Sequence, residues 1–361
     1  MSDADPVPQG GNPWGFFCAR ASVAELRRRK ALWKLPELWK NQKTVFPTAP
    51  WTFGPQFPQR RLLLVLFLKH NFPSTPEHSH GFRPQRSAHQ AVAKAQQYIA
   101  AGHRWVVDLD LEKFFDRVNH DRLMAAIARR VNDKRMLKLM RAFLESGVME
   151  NGLVSPVEEG TPQGGPLSPL LSNLVLDELD RELERRQHRF VRYADDCNIY
   201  VASERAGKRV KQSVTRFIQR RLKLKVNEAK SAVARPQERK FLGFSFTGGA
   251  EVKRRIAPKA LFRCKQRVRE LTRRTQGISL EQMTKELADY LRGWKGYFGY
   301  CQTPSVLHGL DQWIRRRLRS VIWKQRKRRS SWHLANSPAL STTFPNAYFD
   351  SLGLPRLFAA A

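Results

Sequence analysis

The chain has 361 residues and carries 65 Lys and Arg against 32 Asp and Glu, which gives a formal net charge of +33 at pH 7. So large a positive charge predicts a partner that is rich in phosphate. The longest apolar run, Leu62 to Leu68, is far shorter than the ~20 apolar residues that a membrane span requires. The sequence therefore excludes a membrane-spanning protein.

The N-terminal residues and the cysteines indicate the compartment. The chain does not open on a basic segment followed by an apolar one, so we expect no secretory signal. The four cysteines lie far apart, and no pair has the spacing of a zinc site or of a disulfide framework. We therefore expect a reduced, cytoplasmic protein with no membrane partner.

Residues 1–76 differ from the rest of the chain. Proline and tryptophan are scattered through them, and proline removes a backbone donor and fixes φ, so few long elements fit. One helix is predicted, at about Ser22 to Trp33. We expect an atypical N-terminal segment that is poorly structured.

Beyond that segment the local signals agree with one another. Ser87 can cap a helix whose small and apolar residues share one face as far as Ile99. Arg104 to Leu111 is predicted as a strand, because side chains alternate along it. Val107, Leu109 and Leu111 face one way, and Val106, Asp108 and Asp110 face the other.

Three further signals follow before the next strands. Helical patterns occupy Asp121–Val131 and Lys134–Ser146, and the pair Asn151-Gly152 predicts a tight hairpin turn. Ser168 and Pro169 then open a helix, with serine as the cap and proline at the first helical position.

Two acidic residues lie between two short apolar runs. Phe190 to Ala194 and Cys197 to Val201 flank the pair Asp195-Asp196, which predicts a β-hairpin with both carboxylates at its tip. A basic helix at Gly207 to Leu222 and an aromatic strand at Phe241 to Phe246 come next. Helices and strands are thus mixed throughout this part of the chain.

The remainder of the sequence is helical and strongly basic. Residues 253–329 contain 22 Lys and Arg against 5 Asp and Glu, so this stretch alone carries +17 of the net charge. We place a domain boundary near residue 252, and we expect residues 331–361, which are rich in Ser and Pro, to be a loose tail. Three helices are predicted, at about residues 258–275, 280–300 and 305–328. Four aromatic residues are expected to fill the interface between these helices: Trp294, Tyr297, Phe298 and Trp313.

The carboxylates at strand ends indicate chemistry. Asp110 ends the first strand, and Asp195 and Asp196 lie at the hairpin tip, so the three acids can form an oxygen-rich, anionic site suited to Mg²⁺. Two such ions about 3.5–4 Å apart can clamp the attacking and leaving oxygens of a phosphoryl displacement. The alternative is that these acids are exposed turn residues.

Six segments in a fixed order carry a resemblance to a known family. They are Ser79–Ser87 (SHGFRPQRS), Asp110–Asp116 (DLEKFFD), Gly160–Pro169 (GTPQGGPLSP), Tyr193–Asp196 (YADD), Asn227–Ser231 (NEAKS) and Lys240–Phe244 (KFLGF). Over about residues 77–330 the sequence resembles bacterial group II intron reverse transcriptases, which are also maturases. One Tyr-x-Asp-Asp box alone would be weak support, whereas six boxes in order are specific.

The resemblance implies roles for the acids and for two basic residues. Asp110 and Asp195 correspond to the metal-bridging acids, and Asp196 corresponds to the second acid of the hairpin. Lys230 matches the lysine that can protonate the pyrophosphate leaving group. Arg83 matches a clamp for the triphosphate. Asp108 is a rival to Asp110 on the same strand face, and we expect it to be a structural neighbour.

The resemblance also implies contacts with nucleotide and nucleic acid. Phe115 would pack under the sugar and select deoxynucleotides, and Gln163 and Gly164 would lie against the nucleotide or the template. Phe241 and Gly243 fall in the strand that resembles the primer grip, with a core role for these aromatics as the alternative. Five basic residues of the helical region are expected to contact phosphate: Arg315, Arg316, Arg317, Arg326 and Lys327.

The fold implied is α+β, a right-hand polymerase. Residues 77–252 would form partial fingers and a palm, and residues 253–330 an all-helical thumb or maturase domain. The implied function is RNA-directed DNA synthesis with two Mg²⁺ ions, using deoxynucleoside triphosphates, an intron RNA template and a DNA or RNA primer, together with intron RNA binding that assists splicing.

Two alternatives remain open. The first is a non-catalytic, RNA-binding splicing cofactor. The second is an inactive, truncated relic, because residues 1–76 do not resemble the first fingers box that the family carries ahead of its Gly-Phe-Arg-Pro segment. The sequence leaves the oligomeric state open.

Overall fold

The structure of the protein is a computed structural model. It describes residues 77–112, 114, 117–129, 131–145, 148–150, 153–155, 168–273, 277–325 and 338–358. The chain divides into two units, residues 1–54 and 55–361, and every described residue lies in the second. The predictions made for residues 1–76 lie outside the described residues.

The described elements follow the predicted mixture of helices and strands. In chain order they are α1 (Ala88–Ala100), β1 (Trp105–Leu109), α2 (His120–Ala128), α3 (Lys134–Glu145), β2 (Val148–Glu150), β3 (Leu153–Ser155), α4 (Ser168–Arg185), β4 (Arg189–Tyr193), β5 (Asp196–Val201), α5 (Glu204–Phe217), β6 (Ala232–Ala234), β7 (Phe244–Phe246), β8 (Arg254–Ile256), α6 (Pro258–Leu271), α7 (Leu280–Phe298), α8 (Pro304–Gln325), α9 (Pro338–Thr343) and α10 (Asn346–Ser351). A π-helical turn at Ile218–Leu222 extends α5.

Local chemistry accounts for the start of α1. The Ser87 hydroxyl accepts a hydrogen bond from the Gln90 backbone, and the Gln90 side chain accepts one from the Ser87 backbone, so the two form a capping box. Ala91, Val92 and Ile99 are buried on one face, as the periodicity predicted. The cap and the apolar face together fix where this helix begins and how it packs.

A four-stranded sheet lies in the region predicted as the palm, with strand order β4-β5-β1-β6 and antiparallel neighbours, and we call it the palm sheet. Its two faces pack into different clusters. Leu109 belongs to a core shared with α2, α3, α4 and α5, whereas Val106 belongs to a core shared with α1 and β7. Leu109 and Val106 thus contribute to cores on opposite faces of the sheet, as alternating side chains of a strand do, and the predicted alternation along β1 is confirmed.

Helices α6, α7 and α8 form a layer in the region predicted as the thumb, and we keep that name for it. The three predicted helices are confirmed, with α6 ending at Leu271, where residue 275 was expected, and α7 ending at Phe298, where residue 300 was expected. Val268, Leu287 and Leu318 are fully buried at its centre. Within the described ranges, no helix has the length and apolar content needed to cross a membrane.

The expectation of a loose tail is wrong for residues 338–358. Helices α9 and α10 pack on the thumb, and Phe349 is fully buried there. The Arg315 guanidinium pairs with Asp350, and Arg319 donates to the Phe344 carbonyl at 2.9 Å. The prediction relied on the Ser and Pro content and overlooked four apolar residues that complete the thumb core: Leu340, Phe344, Leu354 and Leu357.

Candidate active site

The sheet register brings the predicted acids together. Leu109 at the end of β1 lies opposite Cys197 on β5, which places Asp110 beside Asp196. Tyr193 pairs with Asp196, so Asp195 lies in the two-residue turn between β4 and β5. We call Asp110, Asp195 and Asp196 the carboxylate site.

The backbone of Asp110 is held by the segment that contains the predicted lysine. The Asp110 amide donates to the Ser231 hydroxyl at 3.0 Å, and the Asn227 amide donates to the Asp110 carbonyl at 2.9 Å. The Lys230 ammonium lies 3.9 Å from Asp110 Oδ2. The Asn-Glu-Ala-Lys-Ser segment therefore positions Asp110 and places Lys230 beside it.

Like charges crowd at this site. Loss of solvent around the carboxylate, together with the negative charges of Asp195, Asp108 and Asp110, raises the pKa of Asp196 to about 6. By surface area the Asp196 side chain is nonetheless exposed, so solvent screens part of this repulsion. The direction is the one expected where several carboxylates share one small region.

Asp108 is paired with a cation of its own. Arg239 donates to Asp108 Oδ2 from Nε at 2.9 Å and from Nη2 at 2.6 Å, and it also donates to the Lys230 carbonyl at 2.6 Å. Burial raises the pKa of Asp108 even though Arg239 opposes that rise, and Asp110 adds to it. This pairing supports the expectation that Asp108 is a structural neighbour.

The donor set fits a hard divalent cation. Carboxylate oxygens are the ligands that Mg²⁺ prefers, and a cation would offset both causes of the raised pKa of Asp196, which are lost solvent and nearby negative charge. Among the described residues, no three Asp, Glu, His or Cys side chains are already arranged around one metal position. The side chains of the carboxylate site thus fit the metal in chemistry, while their described positions do not themselves form a metal site.

A buried arginine that sequence reasoning missed anchors the hairpin turn. The Arg192 guanidinium is fully buried and donates to both Asp180 oxygens, at 2.7 and 2.5 Å. It also donates to the Ala194 carbonyl at 2.7 Å, to Asn173 Oδ1 at 3.0 Å and to the Ser79 hydroxyl at 2.8 Å. One side chain therefore ties the turn to α4 and to the segment before α1.

Gly81 presses against the same turn. A Cβ at Gly81 would lie 2.2 Å from the Ala194 nitrogen, so only glycine allows this approach. Ala194 has a φ of 56°, a left-handed conformation that favours glycine. Asn173 donates to the Gly81 carbonyl at 3.0 Å and accepts from Arg192, so it contacts both residues that pack against the turn. Gly81 belongs to the Ser79–Ser87 motif, but its contact with the hairpin depends on tertiary packing and could not be predicted from the motif.

Arg83 lies beside the buried Arg192 cluster. It is half-buried, and its Nε is 3.5 Å from the Ser79 hydroxyl. Burial and the nearby Arg192 charge lower the pKa of Arg83, and its Nη2 has no hydrogen-bond partner among the residues described. A role in binding triphosphate stays a prediction for this residue.

The predicted primer-grip segment forms a joint between palm and thumb. Phe241 is 4% exposed, so its side chain is a core residue, which was the alternative reading. Gly243 has a φ of 80°, and a Cβ there would lie 3.0 Å from the Phe298 ring. The Tyr297 hydroxyl donates to the Leu242 carbonyl at 2.9 Å. The segment thus packs against α7.

Helix α1 contributes to the same joint. His89 Nε2 donates to the Tyr297 carbonyl at 2.8 Å, and its ring stacks on Tyr300 with centroids 4.5 Å apart. Gln96 donates to the Val252 carbonyl at 2.5 Å. The palm and the first part of the thumb therefore share polar and aromatic contacts.

The thumb arginines do not all face solvent. The expectation for Arg315 is wrong in this structure, because its side chain is 1% exposed and pairs with Asp311 and Asp350. Arg317 donates to the Thr272 hydroxyl at 2.9 Å, and Arg316 is half-buried. Five other predicted site residues lie outside the described residues: Phe115, Gln163, Gly164, Arg326 and Lys327.

Two family matches cover most of the chain. Residues 61–246 match the family described as reverse transcriptase (RNA-dependent DNA polymerase), and residues 261–337 match the group II intron, maturase-specific domain. The first match begins 16 residues before the resemblance expected from residue 77. The predicted boundary near residue 252 falls between the two matches.

The antiparallel palm sheet, the carboxylate hairpin and these matches define the class of the protein as a right-hand polymerase with a helical thumb. The chain belongs to the reverse transcriptase family, in the group that also carries the group II intron maturase-specific domain. The resemblance predicted from the six motifs is confirmed.

Several known proteins are similar to this chain. Protein YkfC of Escherichia coli (strain K12) is 43% identical over 112 residues, which cover 30% of this chain and 29% of that protein. The group II intron-encoded protein LtrA of Lactococcus lactis subsp. cremoris is 29% identical over 270 residues, which cover 57% of this chain and 45% of LtrA. The chain thus spans less than half the length of either relative.

The solved structures that resemble the chain include apo telomerase from Candida tropicalis. That match has a TM-score of 0.45 and 14% sequence identity, and it covers 85% of this chain and 55% of the telomerase chain.

Proposed function

We propose that this chain is an RNA-directed DNA polymerase of the group II intron type. The observation that carries the proposal is the carboxylate site, where Asp110 lies beside Asp196 and where loss of solvent, followed by repulsion among the acids, raises the pKa of Asp196 to about 6. Reverse transcriptases as a family depend on divalent metal, and we propose that two Mg²⁺ ions bind here.

Asp110 and Asp195 would hold the two ions, with Asp196 as the neighbouring acid. When bound, the ions supply charge neutralisation at the attacking and leaving oxygens of nucleotidyl transfer. The Lys230 side chain is largely exposed and its ammonium lies 3.9 Å from Asp110, which supports the proposed role in which this ammonium would donate a proton to the pyrophosphate leaving group. Arg83, Phe115, Gln163 and Gly164 remain the proposed nucleotide contacts.

The proposed partners follow from the same assignment. They are deoxynucleoside triphosphates, an intron RNA template and a DNA or RNA primer. The net charge of +17 over residues 253–329 supports nucleic-acid binding by the thumb, because lysine and arginine neutralise phosphates. We also propose that this surface binds intron RNA to assist splicing, and we retain the cytoplasmic location expected from the sequence.

The test is primer extension on an RNA template with the full chain and Mg²⁺. We expect extension by the wild type, loss of extension by Asp195→Ala, and unchanged RNA affinity in that variant. Extension that survived Asp195→Ala would exclude the proposed site. RNA binding and splicing activity without extension in the wild type would favour the non-catalytic cofactor instead.

A further inference from the structure

The palm has a second concave site, at the end of the sheet opposite the hairpin turn. A cleft of about 650 Å³ opens where β4 begins and β5 ends, and α5 forms its other wall. A strand rises ~3.3 Å per residue, so the length of β4 and β5 separates the cleft from Asp195 by roughly 15–20 Å. The cleft is therefore distinct from the carboxylate site.

The lining of the cleft is basic. It contains Arg186, Arg189 and Arg209, together with His103 and His188, and none of its residues is Asp or Glu. A concave surface lined by one sign of charge concentrates ions of the opposite sign. The cleft is thus suited to an anion.

Two of the three arginines are free to bind that anion. Arg186 is already neutralised, because it lies 2.6 Å from Glu182. Arg189 and Arg209 are exposed, and neither guanidinium has an ion-pair or hydrogen-bond partner in the described part of the chain. Guanidinium groups bind phosphate oxygens through paired hydrogen bonds and remain charged at every working pH.

We propose that this cleft binds the phosphate backbone of a folded RNA, outside the path of template and primer. Arg189 and Arg209 would each contact a phosphate. The Ser213 hydroxyl, which accepts from Arg186 Nη1 at 2.9 Å, can still donate its own proton to a phosphate or ribose oxygen.

The cleft favours a continuous backbone over a single nucleotide. The outer edge of β4 is covered at Arg192 by its pairing with Ser79, so a polymer would cross the cleft between Arg189 and Arg209 and would not run along the strand. The Tyr200 ring in the lining is 3% exposed and offers no face to a base, so the half-buried imidazoles of His103 and His188 are the rings of the lining on which a base can stack. Contact led by the two arginines predicts binding that depends on salt far more than on base sequence, because stacking on imidazole does not read the sequence.

The experiment measures the affinity of the full chain for an RNA hairpin at several salt concentrations. The variant is Arg189→Gln/Arg209→Gln, and both side chains are exposed, so we expect the fold to be retained. Two lost phosphate contacts should lower the slope of log K against log salt by about 2 and weaken binding about tenfold at physiological salt. Extension of a short primer–template, which does not reach the cleft, should be unchanged.

A matched variant removes two charges elsewhere. Arg129→Gln/Arg135→Gln changes two exposed arginines that do not line the cleft. An equal loss in this control, or an unchanged salt slope in the cleft variant, would overturn the proposal. A loss of affinity for inorganic phosphate or deoxynucleotides without a loss for RNA would overturn the assignment to RNA.

A second measurement does not depend on the substitutions. Hydrogen exchange of the wild type should slow in α5 and at the end of β5 when the RNA hairpin is bound, and no such protection would contradict the site. Both readouts are of binding, so they stand apart from the DNA synthesis that tests the proposed function.

Discussion

Substitutions at Arg192 can distinguish two roles of this side chain, which are stabilising the fold and positioning the hairpin turn. Arg192 and Asp180 are both fully buried, so Arg192→Met leaves an unpaired charge in the core. Removing one partner of a buried ion pair costs about 3–5 kcal/mol, a large share of a typical domain stability of about 5–15 kcal/mol. We expect the single variant to be severely destabilised in urea denaturation followed by circular dichroism.

The double variant Arg192→Met/Asp180→Leu removes both charges. Apolar residues of similar volume replace a buried ion pair with little loss, although Asn173, Ser79 and the Ala194 carbonyl each lose a donor, at about 1 kcal/mol per bond. We expect the double variant to be clearly more stable than Arg192→Met.

Primer extension then distinguishes the two roles. The Ala194 carbonyl remains without its anchor in the double variant, so we expect extension to stay at least about tenfold below wild type, a difference of ~1.4 kcal/mol in the barrier. Recovery of both stability and extension would show that the cluster does not position the turn. A loss of less than about 1 kcal/mol in Arg192→Met would refute the ion-pair reasoning itself.

Three further predictions concern other parts of the chain. Because the pKa of Asp196 is raised in the folded state, its ionisation should lower stability as the pH rises from about 4 to about 6. In EDTA at pH 7, Asp196→Asn should therefore be more stable than wild type by about 1 kcal/mol after solvent screening, and the two should unfold alike near pH 4. Gly81→Ala should destabilise by about 1–3 kcal/mol and reduce extension, since its Cβ would strike the hairpin backbone. The control Gly293→Ala, with open space around a helical position, should stabilise by about 0.5–1 kcal/mol. Phe349→Ala should cost about 3–5 kcal/mol in the same denaturation assay, whereas a loose tail would give no change.

The central hairpin and its strands could be predicted from the sequence because their signals are local. Alternating side chains along Arg104 to Leu111 and two apolar runs around Asp195-Asp196 are sufficient to place the acids at strand ends. An antiparallel sheet then brings those ends together. The neighbourhood of the carboxylate site was therefore accessible before the structure was known.

The buried cations were not accessible in the same way. Arg192 lies in a strand, where a charged residue normally indicates the solvent face, and its partner Asp180 lies on a helix earlier in the chain. Arg315 stands in a run of arginines that suggested phosphate contact, but Asp311 and Asp350 neutralise it within the thumb. Both pairings depend on tertiary packing, which residue type and spacing do not encode.

The contacts of α1 with the thumb limit how this protein can be divided. A shortened chain that stopped near residue 252 would leave the His89 ring without its stacking partner and would bare the aromatic face of Phe244. Exposed apolar surface of that kind promotes aggregation. We therefore expect the polymerase part and the maturase part to be soluble only when they are expressed as one chain. A fragment that ended between them would need polar substitutions at the apolar surface that the cut exposes.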